Sequence, residues 1–212
     1  MRLTVFGATG GVGGHIVRQA LDRGFPVTAV VRDSTRLPVE HPALQTAVVS
    51  DLAQVATLAT LLHGTDAVLS GIGPRGRHDG PVASTATRHI LAAMRSAGAR
   101  RLVVVSAAPV GPAPDDDGFF DRRILRPVIG AVFKDVYADL RVMEQALADS
   151  ETAWTAVRPP RLLNGPLTGH YRTVVGGNVA RGHTISRADV ANAMLAALDD
   201  PTTIGRPLGI AY

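Results

Sequence analysis

The segment LTVFGATGGVG, residues 3–13, runs from an apolar stretch through a glycine-rich turn into a helical pattern. Residues 3–6 form a short apolar run that ends at a glycine, which is typical of a buried parallel strand. Beyond the turn, apolar residues recur at helical spacing, with Val12, Ile16 and Ala20 on one stripe. We therefore predict a strand, a tight turn and a helix in immediate succession.

The same alternation continues to the end of the chain. Strands that alternate with helices form crossover units, and these build a parallel sheet that is covered on both faces. The sequence therefore predicts an α/β fold, a doubly wound parallel sheet of the Rossmann type in three αβα layers. Ser186 and Asp189 have the spacing of a capping box at the start of the last helix. Further strands are predicted at 27–31, 46–49, 66–69, 102–105, 154–157 and 206–212, and further helices at 51–63, 83–97, 136–147 and from 186.

The chain shows no linker or internal repeat, so we expect residues 1–212 to form a single domain. Two less regular segments, about 109–133 and 159–184, are predicted to form a small C-terminal substrate cap. Within the second one, residues 159–178 are rich in Gly and Pro, and we expect a flap with a short hairpin there.

Composition excludes several classes of protein. The chain has 22 basic and 18 acidic residues, and 21 of the basic ones are scattered arginines with few aromatics between them, so no nucleic-acid partner is expected. The absence of cysteine excludes disulfides and thiolate chemistry and fits a reducing cytoplasm. No membrane helix, secretory signal or metal-binding spacing is found. We expect a cytoplasmic monomer or homodimer that acts on a small molecule.

The glycine turn predicts a dinucleotide site. Glycines allow a sharp turn and a close approach of the backbone to a diphosphate, and the following helix offers unpaired N–H groups to the anion. The turn follows a predicted strand and precedes a predicted helix, which is the context that such a site requires. The residues expected to bind the cofactor here are Gly7, Thr9, Gly10, Gly11, Val12 and Gly13.

The end of the second predicted strand indicates which nicotinamide nucleotide is preferred. An NAD enzyme usually places a carboxylate there to hold the ribose hydroxyls. This chain has Arg32, whose cation suits a 2′-phosphate, with Ser34 and Arg36 as further donors. Asp33 follows directly and is an alternative ribose acceptor. We predict NADP(H) in preference to NAD(H).

Four more residues are predicted to contact the cofactor. Asp51 and Leu52, just past the third strand, would cover the adenine edge, although Asp51 is equally suited to cap a helix. Gly71 and Gly73 follow the fourth strand, beside the point where the strand order of a doubly wound sheet reverses and ligands bind.

The reaction end is predicted after the fifth strand, where Ser106 would meet the nicotinamide ring and the substrate. Tyr137 is a candidate proton donor, and Arg141, four residues later, would lie on the same helix face. A guanidinium does not replace the lysine of a Tyr-x-x-x-Lys pair conservatively, and Lys134, the only lysine, precedes the tyrosine. Packing against the helix is therefore an alternative role for Tyr137.

Several motifs resemble a known family. The spacing Gly-x-x-Gly-x-x-Gly is the form seen in short-chain dehydrogenases/reductases. Residues 31–38 (VRDSTRLP), 154–162 (WTAVRPPRL), 165–171 (GPLTGHY) and 185–191 (ISRADVA) are similar to the NAD(P)H-binding group that contains biliverdin reductase B/flavin reductase and the NmrA-like proteins. The resemblance covers nearly the whole chain and identifies it as an atypical short-chain dehydrogenase/reductase.

The resemblance implies hydride transfer from NADPH to a small flat acceptor such as a flavin or quinone. The family serine falls on Ser106. The two histidines near substrate in biliverdin reductase B fall on Arg161 and near Leu140, so a bilin substrate does not carry over. Arg161 is instead a candidate to stabilise an anionic product. The alternatives are a non-catalytic NmrA-like sensor of NADP(H) and an epimerase-like enzyme.

Overall fold

The computed structural model describes residues 1–74, 76, 79–114 and 132–212. In these residues eight strands form one sheet and two short strands form a second one. The strands are β1 (Leu3–Phe6), β2 (Val27–Val31), β3 (Leu44–Val48), β4 (Ala67–Ser70), β5 (Arg101–Val105), β6 (Ala153–Arg158), β7 (Arg161–Leu163), β8 (Arg172–Val175), β9 (Thr184–Ser186) and β10 (Arg206–Ala211).

Helices cover both faces of the large sheet. On one face, α1 and α5 pack over apolar residues of β1 and β2, and on the other face α2, α3 and α4 pack over β4 and β5. This gives the three αβα layers that the sequence predicts. The helices are α1 (Gly11–Asp22), α2 (Val55–Leu62), α3 (Val82–Ala97), α4 (Lys134–Ala148) and α5 (Arg187–Ala196).

The large sheet has the order β3-β2-β1-β4-β5-β6-β10-β8. The first seven of these strands run parallel, and β8 pairs antiparallel with β10. The order reverses between β1 and β4, so the connections that leave their carboxyl ends run to opposite faces of the sheet and leave a crevice between them. The prediction of a doubly wound Rossmann-type sheet is confirmed.

The hairpin predicted within residues 159–178 is wrong. β7 pairs in parallel with β9, and β8 pairs with β10, so the two strands of this segment have different partners. Between β7 and β8, the backbone amides of Thr168 and Gly169 donate to the carboxylate of Asp189. The flap is therefore fastened to the last helix.

The helix predicted from residue 51 begins at Val55. The Oδ1 atom of Asp51 accepts a hydrogen bond of 2.8 Å from the amide of Ala53, and this local turn delays the helix. At α5, Ser186 accepts from the amide of Asp189 as predicted. The amide of Ser186 itself donates to the hydroxyl of Tyr212, so the second half of the predicted capping box is not formed.

The first cap segment, 109–133, lies largely outside the described residues. Its first part, 109–114, follows β5, and Asn178 donates to the carbonyl oxygens of Ala108 and Pro112. The two cap segments therefore meet next to the carboxyl end of β5. Of the helices in the described part of the chain, none combines the length and the apolarity that crossing a membrane requires.

Candidate active site

A cleft of about 940 Å³ opens at the carboxyl ends of β1, β2, β4 and β5. This volume lies in the upper part of the range of small-molecule sites. Most of the residues predicted to bind the cofactor or substrate line it. Those lining it are Gly7, Thr9, Gly10, Gly11, Val12, Arg32, Asp51, Leu52, Gly71, Gly73, Ser106 and Tyr137.

The glycine turn is shaped by contacts between backbones. Gly7 has φ +71°, and a Cβ on it would lie 2.9 Å from the carbonyl carbon of Gly71. A Cβ on Gly13 would overlap the carbonyl oxygen of Gly7, and one on Gly71 would lie 3.0 Å from the amide of Gly13. These three glycines let the turn, α1 and the end of β4 meet without side chains between them. Gly13 therefore lies beneath the turn and does not line the cleft.

The opening of α1 is exposed to the cleft. Its N-cap is Gly10, which has no side chain to satisfy the first amides, and the first turn contains no acidic residue. The first hydrogen bond of the helix joins the amide of Gly14 to the carbonyl oxygen of Gly10 at 2.9 Å. The amides of Gly11 and Val12, which line the cleft, are left for a ligand, and together with the helix dipole they favour an anion.

Arg32 lines the cleft directly after β2, whereas Asp33 is engaged elsewhere. The Oδ1 atom of Asp33 accepts from the amide of Thr35 at 3.0 Å and from its hydroxyl at 2.7 Å. These hydrogen bonds hold the pKa of Asp33 below its ordinary value. Ser34 and Arg36 are exposed in the single turn of helix that follows, and they are not among the residues that line the cleft.

A buried polar cluster lies at the other end of the cleft. Ser106, 5% exposed, donates its hydroxyl proton to Oε1 of Glu144 over 2.5 Å. The guanidinium of Arg158 donates to both carboxylate oxygens of Glu144, with Nε 3.0 Å from Oε1. Because its proton is given to the carboxylate, Ser106 presents oxygen lone pairs to a ligand.

Sequence reasoning missed Glu144 and Arg158. Glu144 lies on α4 and Arg158 at the end of β6, so their contact with Ser106 depends on the tertiary fold. The side chains of Glu144 and Arg158 are only 11% and 10% exposed. The tight packing around Arg158 depends on Gly111, where a Cβ would overlap the guanidinium and lie 3.1 Å from Nδ2 of Asn178.

Tyr137 lines the cleft from α4, half-buried beside Phe133, with 6.0 Å between the ring centroids. Burial raises the pKa of Tyr137 above its ordinary value. Arg141 does not counter this effect, because its guanidinium donates to the carbonyl oxygen of Pro109 at 3.4 Å. Tyr137 is a protonated phenol at neutral pH, as an ordinary tyrosine is, and burial makes it a weaker acid.

Arg161 and Arg187 differ from what the sequence indicates. Arg161 is exposed in β7 and is not among the cleft-lining residues, so the geometry gives its predicted catalytic role no support. Arg187, noted in sequence only as part of a capping motif, lines the cleft from the start of α5. The described residues contain no group of three or more His or carboxylate side chains arranged to hold a metal ion.

The fold and the cleft are those of a nicotinamide-nucleotide-binding protein. The chain belongs to the NAD(P)H-binding family, whose model matches residues 7–201. This confirms the predicted NAD(P)H-binding family.

Two curated relatives are named as reductases. The chain is 34% identical over 200 residues to a 3-diazoavenalumate denitrifying reductase from a Streptomyces species. The match covers 85% of this chain and 62% of that relative. It is 30% identical over 217 residues to a (4-alkanoyl-5-oxo-2,5-dihydrofuran-3-yl)methyl phosphate reductase from Streptomyces griseus, covering 99% of this chain and 67% of the relative. The chain thus spans less than two thirds of the first relative.

A solved structure shares the fold over the full chain. It is a short-chain dehydrogenase/reductase of the wide type from Veillonella parvula, in complex with NADP, with a TM-score of 0.78. The two chains are 18% identical, and the match covers 100% of this chain and 94% of that one. At this identity the likeness shows the fold alone.

Proposed function

We propose that this protein is an NADPH-dependent reductase that transfers hydride to a small flat acceptor of the flavin or quinone type. The observation that carries the proposal is a single cleft with an anion-binding helix opening at one end and the Ser106 cluster at the other. A dinucleotide in this cleft would place its diphosphate on α1 and its nicotinamide towards Ser106. The family match and the two relatives named as reductases support this reading.

The preference for NADPH is supported by the two side chains after β2. Arg32 lines the cleft, and the competing carboxylate of Asp33 is hydrogen-bonded to Thr35. A ribose 2′-phosphate would meet a guanidinium there, and a guanidinium can donate two parallel hydrogen bonds to a phosphate. Ser34 and Arg36, outside the cleft, are assigned no part in this recognition.

The acceptor end of the cleft has an apolar wall and a few polar groups. Val105, Val136, Leu140 and Leu162 provide a surface against which a flat ring can pack. Bound NADPH would supply the hydride chemistry. The protein would bind the cofactor and the acceptor, orient them and exclude water. Ser106 would accept a hydrogen bond from an N–H of the nicotinamide carboxamide or of a flavin. The phenol of Tyr137, which lines the cleft from α4, is the proton donor that we propose.

Purified protein mixed with NADPH and with FMN, riboflavin or a simple quinone should oxidise NADPH, seen as loss of absorbance of the reduced nicotinamide band.

Tyr137→Phe should retain NADPH binding. Its kcat for a quinone should fall by about a hundredfold, because general acid catalysis contributes at least that much. Arg141→Gln is the matched control, since Arg141 binds the Pro109 carbonyl and lies outside the cleft lining.

A non-catalytic NADP(H) sensor is the second candidate, favoured by one observation. The cation four residues after Tyr137 is bound to a backbone carbonyl and does not activate the phenol. Tight binding of NADPH without oxidation by any acceptor in the panel would support the sensor and contradict the reductase. Absence of binding would contradict both.

Replacing Arg32 by glutamine should weaken NADPH binding by about tenfold to a hundredfold. This factor corresponds to the free energy that a hydrogen bond to a charged group contributes. Affinity for NADH should stay unchanged, because NADH has no 2′-phosphate. Titration calorimetry with both nucleotides measures the difference. Arg36→Gln is the matched comparison, and we expect it to bind both like the wild type. An equal loss of both nucleotides in Arg32→Gln would contradict the assignment of Arg32 to the 2′-phosphate.

A further inference from the structure

Arg187 crosses over the start of α1 from the opposite end of the chain. It is the first residue of α5, half-buried, and it lines the cleft together with the glycine turn. A Cβ built on Gly11 would lie 2.6 Å from Cδ and 2.8 Å from Nε of Arg187. Gly11 therefore leaves room for an arginine side chain, whereas Gly13, two residues later, leaves room for backbone.

The far end of Arg187 is held by the flap. Its Nη1 donates to Oδ1 of Asn164 at 2.6 Å, just after β7. Within the described residues, the Arg187 side chain makes this one hydrogen bond and forms no ion pair with a carboxylate. A guanidinium carries five N–H donors, so most remain for a ligand in the cleft.

The surroundings of Arg187 are positively charged. Burial first, and then the charges of Arg18 and Arg187, lower the pKa of His15 on α1. The first turn of α1 contributes the positive end of its dipole and contains no acidic residue. A half-buried guanidinium beside such a helix opening is the arrangement that recognises a phosphate group.

We propose that Arg187 binds the diphosphate of NADP(H), opposite the amides that open α1. This inference rests on the proposed nucleotide binding and adds a second protein group that recognises the cofactor. We assign Arg187 to the diphosphate because it crosses Gly11, the first residue of α1, where the proposed diphosphate site lies. The ribose 2′-phosphate is assigned to Arg32, which lines the cleft directly after β2.

The test uses three probes and three variants. Arg187→Gln should weaken NADPH and NADH by the same factor, about tenfold to a hundredfold, because both carry the diphosphate. Adenosine 2′-monophosphate lacks the diphosphate, so its affinity should be unchanged in Arg187→Gln and reduced in Arg32→Gln. Arg187→Lys, which keeps the charge and loses the planar fork, should show an intermediate loss. Titration calorimetry gives all these affinities.

Arg161→Gln is the matched control, because Arg161 is an exposed arginine of the flap that does not line the cleft. It should bind every probe as the wild type does. An Arg187→Gln protein that melts like the wild type and binds NADPH with unchanged affinity would overturn the inference. So would a loss confined to NADPH, which would place Arg187 on the 2′-phosphate. If the wild type binds neither nucleotide, the proposed function fails instead.

Discussion

Replacing Gly13 by alanine is expected to remove measurable NADP(H) binding and to lower the free energy of unfolding by about 2 to 3 kcal/mol, the upper part of the cost of overpacking. The added Cβ would overlap the carbonyl oxygen of Gly7 and lie 2.7 Å from its carbonyl carbon. Gly7 cannot retreat, because it packs on the backbone of Gly71 and its oxygen accepts the amide of Gly10 at 2.9 Å. The turn and α1 must therefore separate.

Gly14→Ala is the matched control for this change. A Cβ on Gly14 would meet its nearest atoms at 3.5 Å, which is ordinary contact. Alanine is a better helix former than glycine, so Gly14→Ala should stabilise the protein by about 0.5 to 1 kcal/mol. Urea unfolding measures both stabilities, and calorimetry measures NADPH affinity. A Gly13→Ala protein that binds NADPH within about threefold of the wild type would show that this contact does not shape the site.

The fold could be predicted because its main elements have local causes. Residues 3–6, 27–31 and 102–105 are apolar runs of strand length, and the structure has strands at all three. The αL glycine Gly98 ends α3 where the helical stripe stops, as the pattern indicates. The predicted start of α2 is wrong because a side chain accepts a hydrogen bond from the backbone two residues later. Asp51 accepts the amide of Ala53, and the helix begins only at Val55.

Residues of the candidate site could be predicted where a local feature such as the glycine turn or the end of a strand marks them. The glycine turn is one segment, and its predicted residues line the cleft with the exception of Gly13. Glu144, by contrast, is a helical carboxylate that looks like any exposed one until the fold brings it to Ser106 and Arg158. Asp139 is similar: it is buried on α4 and caps α3 through the amides of Ala83 and Ser84, which no local spacing reveals.

Arginines illustrate the same limit. Arg161 and Arg187 are one residue type in two neighbouring motifs, and the sequence favours Arg161 because the family resemblance places it where a histidine lies near substrate. The structure turns Arg161 to the surface and lays Arg187 over Gly11. Which arginine enters the cleft depends on the pairing of β7 with β9, a contact between segments more than twenty residues apart.

Asp189 joins three parts of the chain through one fully buried carboxylate. Its Oδ1 accepts the amides of Thr168 at 3.0 Å and Gly169 at 2.8 Å, which fastens the flap. Its Oδ2 accepts the hydroxyls of Thr168 at 2.9 Å, Ser186 at 3.0 Å and Tyr212 at 2.6 Å. In the described residues no arginine or lysine pairs with Asp189, so these donors alone compensate its buried charge.

Asp189→Ala is therefore expected to lower the free energy of unfolding by about 3 kcal/mol, since each buried donor left without a partner costs about 1 to 3 kcal/mol. For a chain of this size the melting temperature should fall by roughly 6 to 12 °C. Asp189→Asn should cost less, because its carbonyl oxygen can keep the two amides and its NH₂ group can donate to two of the three hydroxyl oxygens. Asp199→Asn, at an exposed position past α5, is the control and should melt like the wild type.

The same carboxylate predicts a dependence on pH. Burial opposes ionisation of Asp189, but hydrogen bonds from Tyr212, Gly169 and Thr168 outweigh it and hold its pKa below the ordinary value. A depressed folded-state pKa contributes stability that is fully present above about pH 4, the unfolded value, and is lost as the pH falls through the folded pKa. The stability difference between wild type and Asp189→Asn, measured by urea unfolding, should therefore be constant from neutral pH to about pH 5 and shrink below about pH 4. A difference that stays constant to lower pH would mean that Asp189 acts through its shape alone and not through its charge.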